Sequence, residues 1–228
     1  MESYTVARFR NRREAGERLA AALGEYANRR DVIVFALPRG GVPVGFEVAR
    51  ALRAPLDIFV VRKLGLPGHE ELAMGALASG GVRVLDQDLI RAAGVSEYEI
   101  ERVTAAEYAE LQRRELLYRG DRPFPDLAGK TVMLVDDGLA TGATMQAAVA
   151  AIRAKGPARV IVAVPVAAPD TCNAFRELAD DVICAITPEP FRAVGVWYED
   201  FSETSDDEVR ELLNLARATQ YRGRPHAQ

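Results

Sequence analysis

The chain has 228 residues, 49% of them apolar, which is enough for one large core in a single domain spanning 1–228. A formal charge of −4 argues against a general nucleic-acid binder, which normally presents a basic face. No apolar run approaches the roughly 20 residues that cross a bilayer, and Met1 to Arg10 lacks the apolar core of a signal peptide, so a soluble, cytoplasmic protein is expected.

In chain order, residues 13–28 place Leu19, Ala20, Leu23 and Tyr26 at helical spacing, a helix ahead of the first strand. Residues 32–37 (Val-Ile-Val-Phe-Ala-Leu) read as a buried strand stopped by Pro38. Pro38-Arg39-Gly40-Gly41 is a turn, and 42–52 the following helix. Residues 56–62 form the next strand, ending in Arg62-Lys63 at the carboxyl edge of a parallel sheet, where ligands of such sheets bind. The glycine-dense 65–81 holds His69-Glu70-Glu71, whose spacing offers no zinc set, and 72–78 with 82–85 predicts a short hairpin about Ser79-Gly80-Gly81.

Residues 86–120 break the alternation of strand and helix. Ser96 and Glu99 make a capping box, and charged residues with apolar ones every three or four positions predict a long helix over 98–118. This insertion suits a hood over the site, a dimer arm or a solvated extension. Residues 132–135 are the central buried strand, 145–155 a helix stopped by Gly156, and 159–165 another buried strand. Asp170 is expected to cap a helix over 171–179, followed by a strand at 182–186. Ser205 and Glu208 start a final helix to about 218, with 221–228 as a frayed tail. Cys172 and Cys184, without metal spacing or a disulfide framework, read as buried free thiols of a reducing compartment. Strand and helix otherwise alternate, so the fold class is α/β, a doubly wound, mostly parallel sheet with an added helical hood or arm.

The chemistry concentrates in 132–144. A buried strand delivers Asp136-Asp137, and Gly138-Leu139-Ala140-Thr141-Gly142-Ala143-Thr144 then opens a helix. Unpaired amides at a helix N-terminus lie at the positive end of its dipole and bind phosphate. Small residues let the backbone approach, and the Thr141 and Thr144 hydroxyls donate further bonds. Adjacent carboxylates suit two sugar hydroxyls or the water shell of Mg²⁺. The ligand this describes carries a phosphate at one end and a diol nearby, as in a ribose 5-phosphate.

At these residues the chain resembles the type I phosphoribosyltransferases, whose signature binds 5-phosphoribosyl-1-pyrophosphate (PRPP). Every position of 132–144 except Gly138, usually aliphatic there, is ordinary for that family, and Asp-Asp-x-Leu-Ala-Thr-Gly-x-Thr-Met is especially similar to adenine phosphoribosyltransferases. The resemblance implies a pentosyltransferase of nucleotide metabolism that moves the 5-phosphoribosyl group of PRPP to a nitrogenous base and releases pyrophosphate. It also implies Mg²⁺ as cofactor, held by Asp136 and Asp137 through water or ribose hydroxyls. Ala140 to Thr144 would hold the 5-phosphate, and the Arg39-Gly40-Gly41 turn the pyrophosphate, through a forked cation and a backbone that turns sharply. Lys63 would neutralise the leaving group, and a lid would lie at or beside 67–71. The 191–201 segment resembles the base-binding segment of hypoxanthine-type relatives, which makes Trp197 and Tyr198 candidates for stacking on a heterocycle. Ala140 stands where those relatives carry an aspartate, which leaves the acceptor open. The expected partners are PRPP, a base and a second copy of the chain as a dimer, not nucleic acid or membrane. The rival reading is a PRPP or nucleotide sensor without turnover on the same fold.

Overall fold

The computed structural model describes residues 8–222. Helix α1 (Arg12–Ala22) starts at Asn11, whose side chain accepts from Glu14 N at 3.0 Å. It ends earlier than its apolar spacing predicts, because a 3-10 turn, Gly24–Tyr26, takes over and still buries Tyr26. Strand β1 (Val32–Ala36), helix α2 (Gly41–Leu52) and strand β2 (Leu56–Ile58) follow.

The expected strand over 56–62 is two strands in two sheets. β2 ends at Ile58, and β3 (Val61–Leu66) begins an antiparallel sheet with β4 (His69–Ala78) and β5 (Val82–Leu85). Phe59 and Val60, both buried between the two sheets, are as apolar as their neighbours, so hydropathy does not mark the break. Lys63 consequently sits opposite Ala76 in the β3–β4 hairpin, exposed, rather than at the edge of a parallel strand. The hairpin about Ser79–Gly81 is present as β4–β5.

Helix α3 (Gln87–Ala93) and the 23-residue α4 (Glu97–Arg119) form the insertion, and α4 opens on the expected capping box of Ser96 and Glu99. The far end of α4 is pinned by Arg119, a buried cation whose Nε meets Asp57 Oδ2 at 3.0 Å and whose Nη2 donates to Ile58 O at 2.8 Å. Midway, Arg62 pairs with Glu107 at 2.7 Å, so α4 leans on the hairpin sheet. Strand β6 (Thr131–Val135), helix α5 (Ala143–Arg153), strand β7 (Arg159–Val166), helix α6 (Pro169–Ala174), strand β8 (Asp181–Ile186) and helix α7 (Asp206–Arg222) complete the chain.

The main sheet is wholly parallel in the order β2-β1-β6-β7-β8. Every residue of β1 and β6 is buried, as strands covered by helices on both faces require. Side chains such as Phe35, Met133 and Leu134 each contribute about 1.5–3 kcal/mol by leaving water. From β1 the chain winds outward to β2, and from β6 outward through β7 to β8. The carboxyl ends of β1 and β6 therefore flank the point where winding reverses, and a crevice opens there in sheets of this kind.

Three further expectations need correction. Asp170 lies in the first turn of α6; the N-cap is Ala168 and makes no side-chain cap bond, because Pro169 already sets the helical φ at the first position. Cys172 and Cys184 are joined in a disulfide with Cα atoms 6.7 Å apart, since the β7–α6–β8 crossover sets α6 beside β8. The cysteines are thus no argument for a reducing compartment. Finally, α7 continues through Arg222 instead of fraying from 221, and residues 223–228 of the expected tail lie outside the described residues. Among the described residues no helix is long and apolar enough to cross a membrane.

Candidate active site

Two strand–turn–helix units meet at the reversal point. In the first, β1 runs into Pro38-Arg39-Gly40-Gly41, with the Pro38–Arg39 peptide cis, and then into α2. In the second, β6 delivers Asp136 and Asp137 before α5. The turns touch. A Cβ on Gly40 would fall 2.1 Å from Asp137 Oδ2, and one on Gly41 would fall 2.8 Å from Val135 O. Gly41 is needed for the close approach of two backbones and Gly40 to leave room for the Asp137 carboxylate, demands that their sequence context did not reveal.

The carboxylates are half-buried and each is held by one oxygen. Asp136 Oδ1 accepts from Asp137 N at 2.8 Å, and Asp137 Oδ2 accepts from Arg12 Nε at 2.9 Å. The second oxygen of each takes no hydrogen bond from the described residues. Burial, and then the neighbouring Asp137 charge, push the Asp136 carboxyl well above the ordinary carboxylate range. Burial raises Asp137 as well, while the Arg12 cation pulls it back down. The pair is therefore short of positive charge and of donors, which is what a diol or a hydrated cation supplies.

Beyond the acids, the turn is anchored and then left open. Leu139 N donates to Val166 O at 2.9 Å, Ala168 N to Leu139 O at 3.0 Å, and Thr171 Oγ1 to Ala140 O at 2.6 Å. Gly142, in the left-handed region at φ 74°, turns the chain into α5; a Cβ there would also strike Phe175 Cε2 at 2.5 Å. The backbone amides of Ala143, Thr144 and Met145 have no intrahelical acceptor, and no side chain caps them. Gly138, unusual in the sequence pattern, has its side-chain space filled by Val194, whose Cγ1 lies 2.6 Å from the ideal Cβ.

The other candidates fare unequally. Arg39 lies in the first turn, but its guanidinium is ion-paired with Glu203 and, at 3.6 Å, with Asp206 at the start of α7. Lys63 makes no ion pair among the described residues. Tyr198 is not available for stacking. It is 3% exposed, its ring packs on Phe9 and Phe201 at 5.4 and 5.0 Å between centroids, and its hydroxyl donates to Asp137 O at 2.6 Å. Its phenol is raised far above the usual range, first by burial and then by the Asp137 charge, so it remains a donor. Trp197 is half-buried against the same cluster, and its indole Nε1 has no acceptor among the described residues. Sequence reasoning missed Arg12 and Thr171, and it held Phe201 only as the last residue of the 191–201 segment. Arg12 left a trace that it shares with Arg13: both are cations on the first turn of a helix, against its dipole.

Among the described residues, no group of three or more acidic, histidine or cysteine side chains could cage a metal. Asp136 and Asp137 fit Mg²⁺ only as partners of an ion carried mainly by phosphate oxygens and water.

A family model for the phosphoribosyl transferase domain matches residues 6–199. Two strains of Mycobacterium tuberculosis hold a protein, provisionally named a phosphoribosyl transferase, that is 46% identical over 208 residues. That match covers 91% of this chain and 47% of the relative, so the chain spans about half the length of the curated relatives it matches. The solved structure of TT1426 from Thermus thermophilus is 44% identical, covering 90% of this chain and 97% of that one with a TM-score of 0.81.

Proposed function

The chain belongs to the phosphoribosyl transferase domain family, and from that premise we propose that it moves the 5-phosphoribosyl group of PRPP to a nitrogen of a purine or related heterocycle. The observation that supports this most is the pairing, within one turn, of two half-committed carboxylates with three unpaired helix amides. A ribose 5-phosphate bridges those two features: its hydroxyls meet the free oxygens of Asp136 and Asp137, and its phosphate meets the amides and hydroxyls of residues 140–144.

In the transfer, the bond from the anomeric carbon to the pyrophosphate oxygen breaks as the bond to the acceptor nitrogen forms. Charge grows on the leaving group, so electrostatic stabilisation dominates. Mg²⁺, when bound, neutralises part of that charge. Arg39 would exchange Glu203 and Asp206 for pyrophosphate oxygens, and Lys63 would add charge from the hairpin as a lid element. Asp136 and Asp137 orient the ribose and face the ring carbon as it becomes positive. Trp197 is the remaining candidate for the base. Neither it nor Ala140 offers an acid to the acceptor.

The test is a pyrophosphate-release screen with PRPP, Mg²⁺ and a panel of purines, pyrimidines and other nitrogen nucleophiles. Release with at least one acceptor supports transfer. Tight PRPP binding without release from any acceptor would establish the sensor reading, which the missing acid at Ala140 favours. No PRPP binding would end both.

A further inference from the structure

Arg12 is a charged residue of the site that the reaction scheme leaves without a task. It and Arg13 open α1, where the helix dipole disfavours cations; Arg13 pairs with Glu17 and Glu47, whereas Arg12 has no partner within its own helix. The tertiary structure holds it from three sides. Nε donates to Asp137 Oδ2 at 2.9 Å, Nη1 donates to Ser202 O at 2.6 Å, and the guanidinium carbon stands 4.0 Å from the centre of the Phe201 ring. Its side chain is 12% exposed and that of Asp137 15%. A guanidinium so enclosed has one orientation, and the carboxylate it grips shares it. With Oδ2 turned to Arg12, Oδ1 is the Asp137 oxygen left for a ligand. The missing side chain of Gly40 provides the room, since a Cβ there would lie 3.2 Å from Arg12 Nε as well as against Oδ2.

We infer that Arg12 is a positioning residue for the ribose end of the site: it presents one Asp137 oxygen to a vicinal diol and, through Phe201 and Ser202, ties that orientation to the segment following Tyr198. The inference rests on the phosphoribosyl reading above but adds a residue outside the signature turn, 125 positions away in sequence. Arg12 stands behind the carboxylate. A ligand with sugar hydroxyls therefore senses it, and a ligand made only of phosphate does not.

Calorimetric titration of the intact protein with ribose 5-phosphate, and separately with pyrophosphate in the absence of magnesium, tests this in wild type, R12Q and R12K. R12Q is expected to bind ribose 5-phosphate about 10- to 100-fold more weakly while keeping pyrophosphate affinity within about twofold. R12K, which keeps the charge without the fork, should fall between wild type and R12Q for the sugar phosphate alone. Equal losses for both ligands would reduce Arg12 to a structural ion pair, and unchanged ribose 5-phosphate affinity in R12Q would dismiss it. If circular dichroism shows R12Q unfolded, R12K decides by the same split between the two ligands. A wild type that binds neither ligand refutes the phosphoribosyl reading and this inference together; a wild type that binds both with no dependence on Arg12 refutes the inference alone.

Discussion

The turn after β1 and the turn after β6 leave adjacent parallel strands in the same direction and open helices on opposite faces of the sheet, yet they are built for different work. The first is the more closed: Gly41 N donates to Leu37 O and Val42 N to Arg39 O, which leaves the Arg39 and Gly40 amides without an acceptor among the described residues. What it offers is a side chain, Arg39, and the thinness that lets Asp137 lie against Gly40. The second is open: a left-handed Gly142 releases three amides, and two acids keep one oxygen each. The same fold unit thus yields a charge carrier on one side and a cradle on the other.

The sharpest way to break this contrast is to remove the acids of the open turn. Replacing Asp136 and Asp137 together by Asn should lower kcat/KM for PRPP by about 10²–10³-fold, read as pyrophosphate release. Undiminished PRPP binding by calorimetry would count against a ribose role for the pair.

Next come the two glycines, which should fail in different ways. Gly40 has ordinary helical φ, so G40A strains no backbone and instead pushes the Asp137 carboxylate aside. Ribose 5-phosphate affinity should fall while the denaturant midpoint barely moves. Gly142 has φ 74° and Phe175 against it, so G142A should cost about 1–3 kcal/mol of stability as well. Equal unfolding midpoints for the two variants would erase the distinction between a turn chosen for clearance and one chosen for backbone hand.

A smaller effect concerns charge. A carboxyl raised in the fold holds its proton more tightly there than in the unfolded chain, where its value is about 3.9. Asp136 therefore favours the folded state below that value, and its contribution is lost as pH rises through the elevated folded one. D136N removes the burden, so its melting temperature should exceed that of wild type by about 2–4 °C at pH 8 and match it near pH 3. A gain that is constant with pH would mean the effect is packing. The smallest change is on the closed turn: E203Q loosens an exposed ion pair, and pyrophosphate should bind about two- to fivefold tighter as Arg39 is freed. Unchanged affinity would indicate that Glu203 does not compete.

Much of the fold was legible because its strands are covered on both faces and its helices carry their own start signals. β1 and β6 are continuous apolar runs ending at Pro38 and Asp136, and α4 announces itself by Ser96 and Glu99. The 56–62 segment reads as one strand because Phe59 and Val60 stay buried while the chain changes sheets; hydropathy reports burial, not which sheet a residue joins. An aromatic beside acids has the pattern of a stacking platform, yet the bridge between Phe9 and Tyr198 turns the Tyr198 ring inward beneath Asp137. The disulfide between α6 and β8 has no sign in a spacing of 12.

Residues adjacent in the chain are enough to specify the alternating architecture and the acidic, glycine-containing turn that opens α5. Hydrophobic runs, caps and small residues act over a few positions, and their physics is complete within the window where they are read. Tertiary contacts alone settle which oxygens of Asp136 and Asp137 stay free, that Arg12 grips one of them, and that Arg39 is shared with the start of α7. Those outcomes depend on which strand ends the winding of the sheet brings together. Hydrogen bonds across 125 residues leave almost no local trace, beyond two cations, Arg12 and Arg13, at the wrong end of a helix.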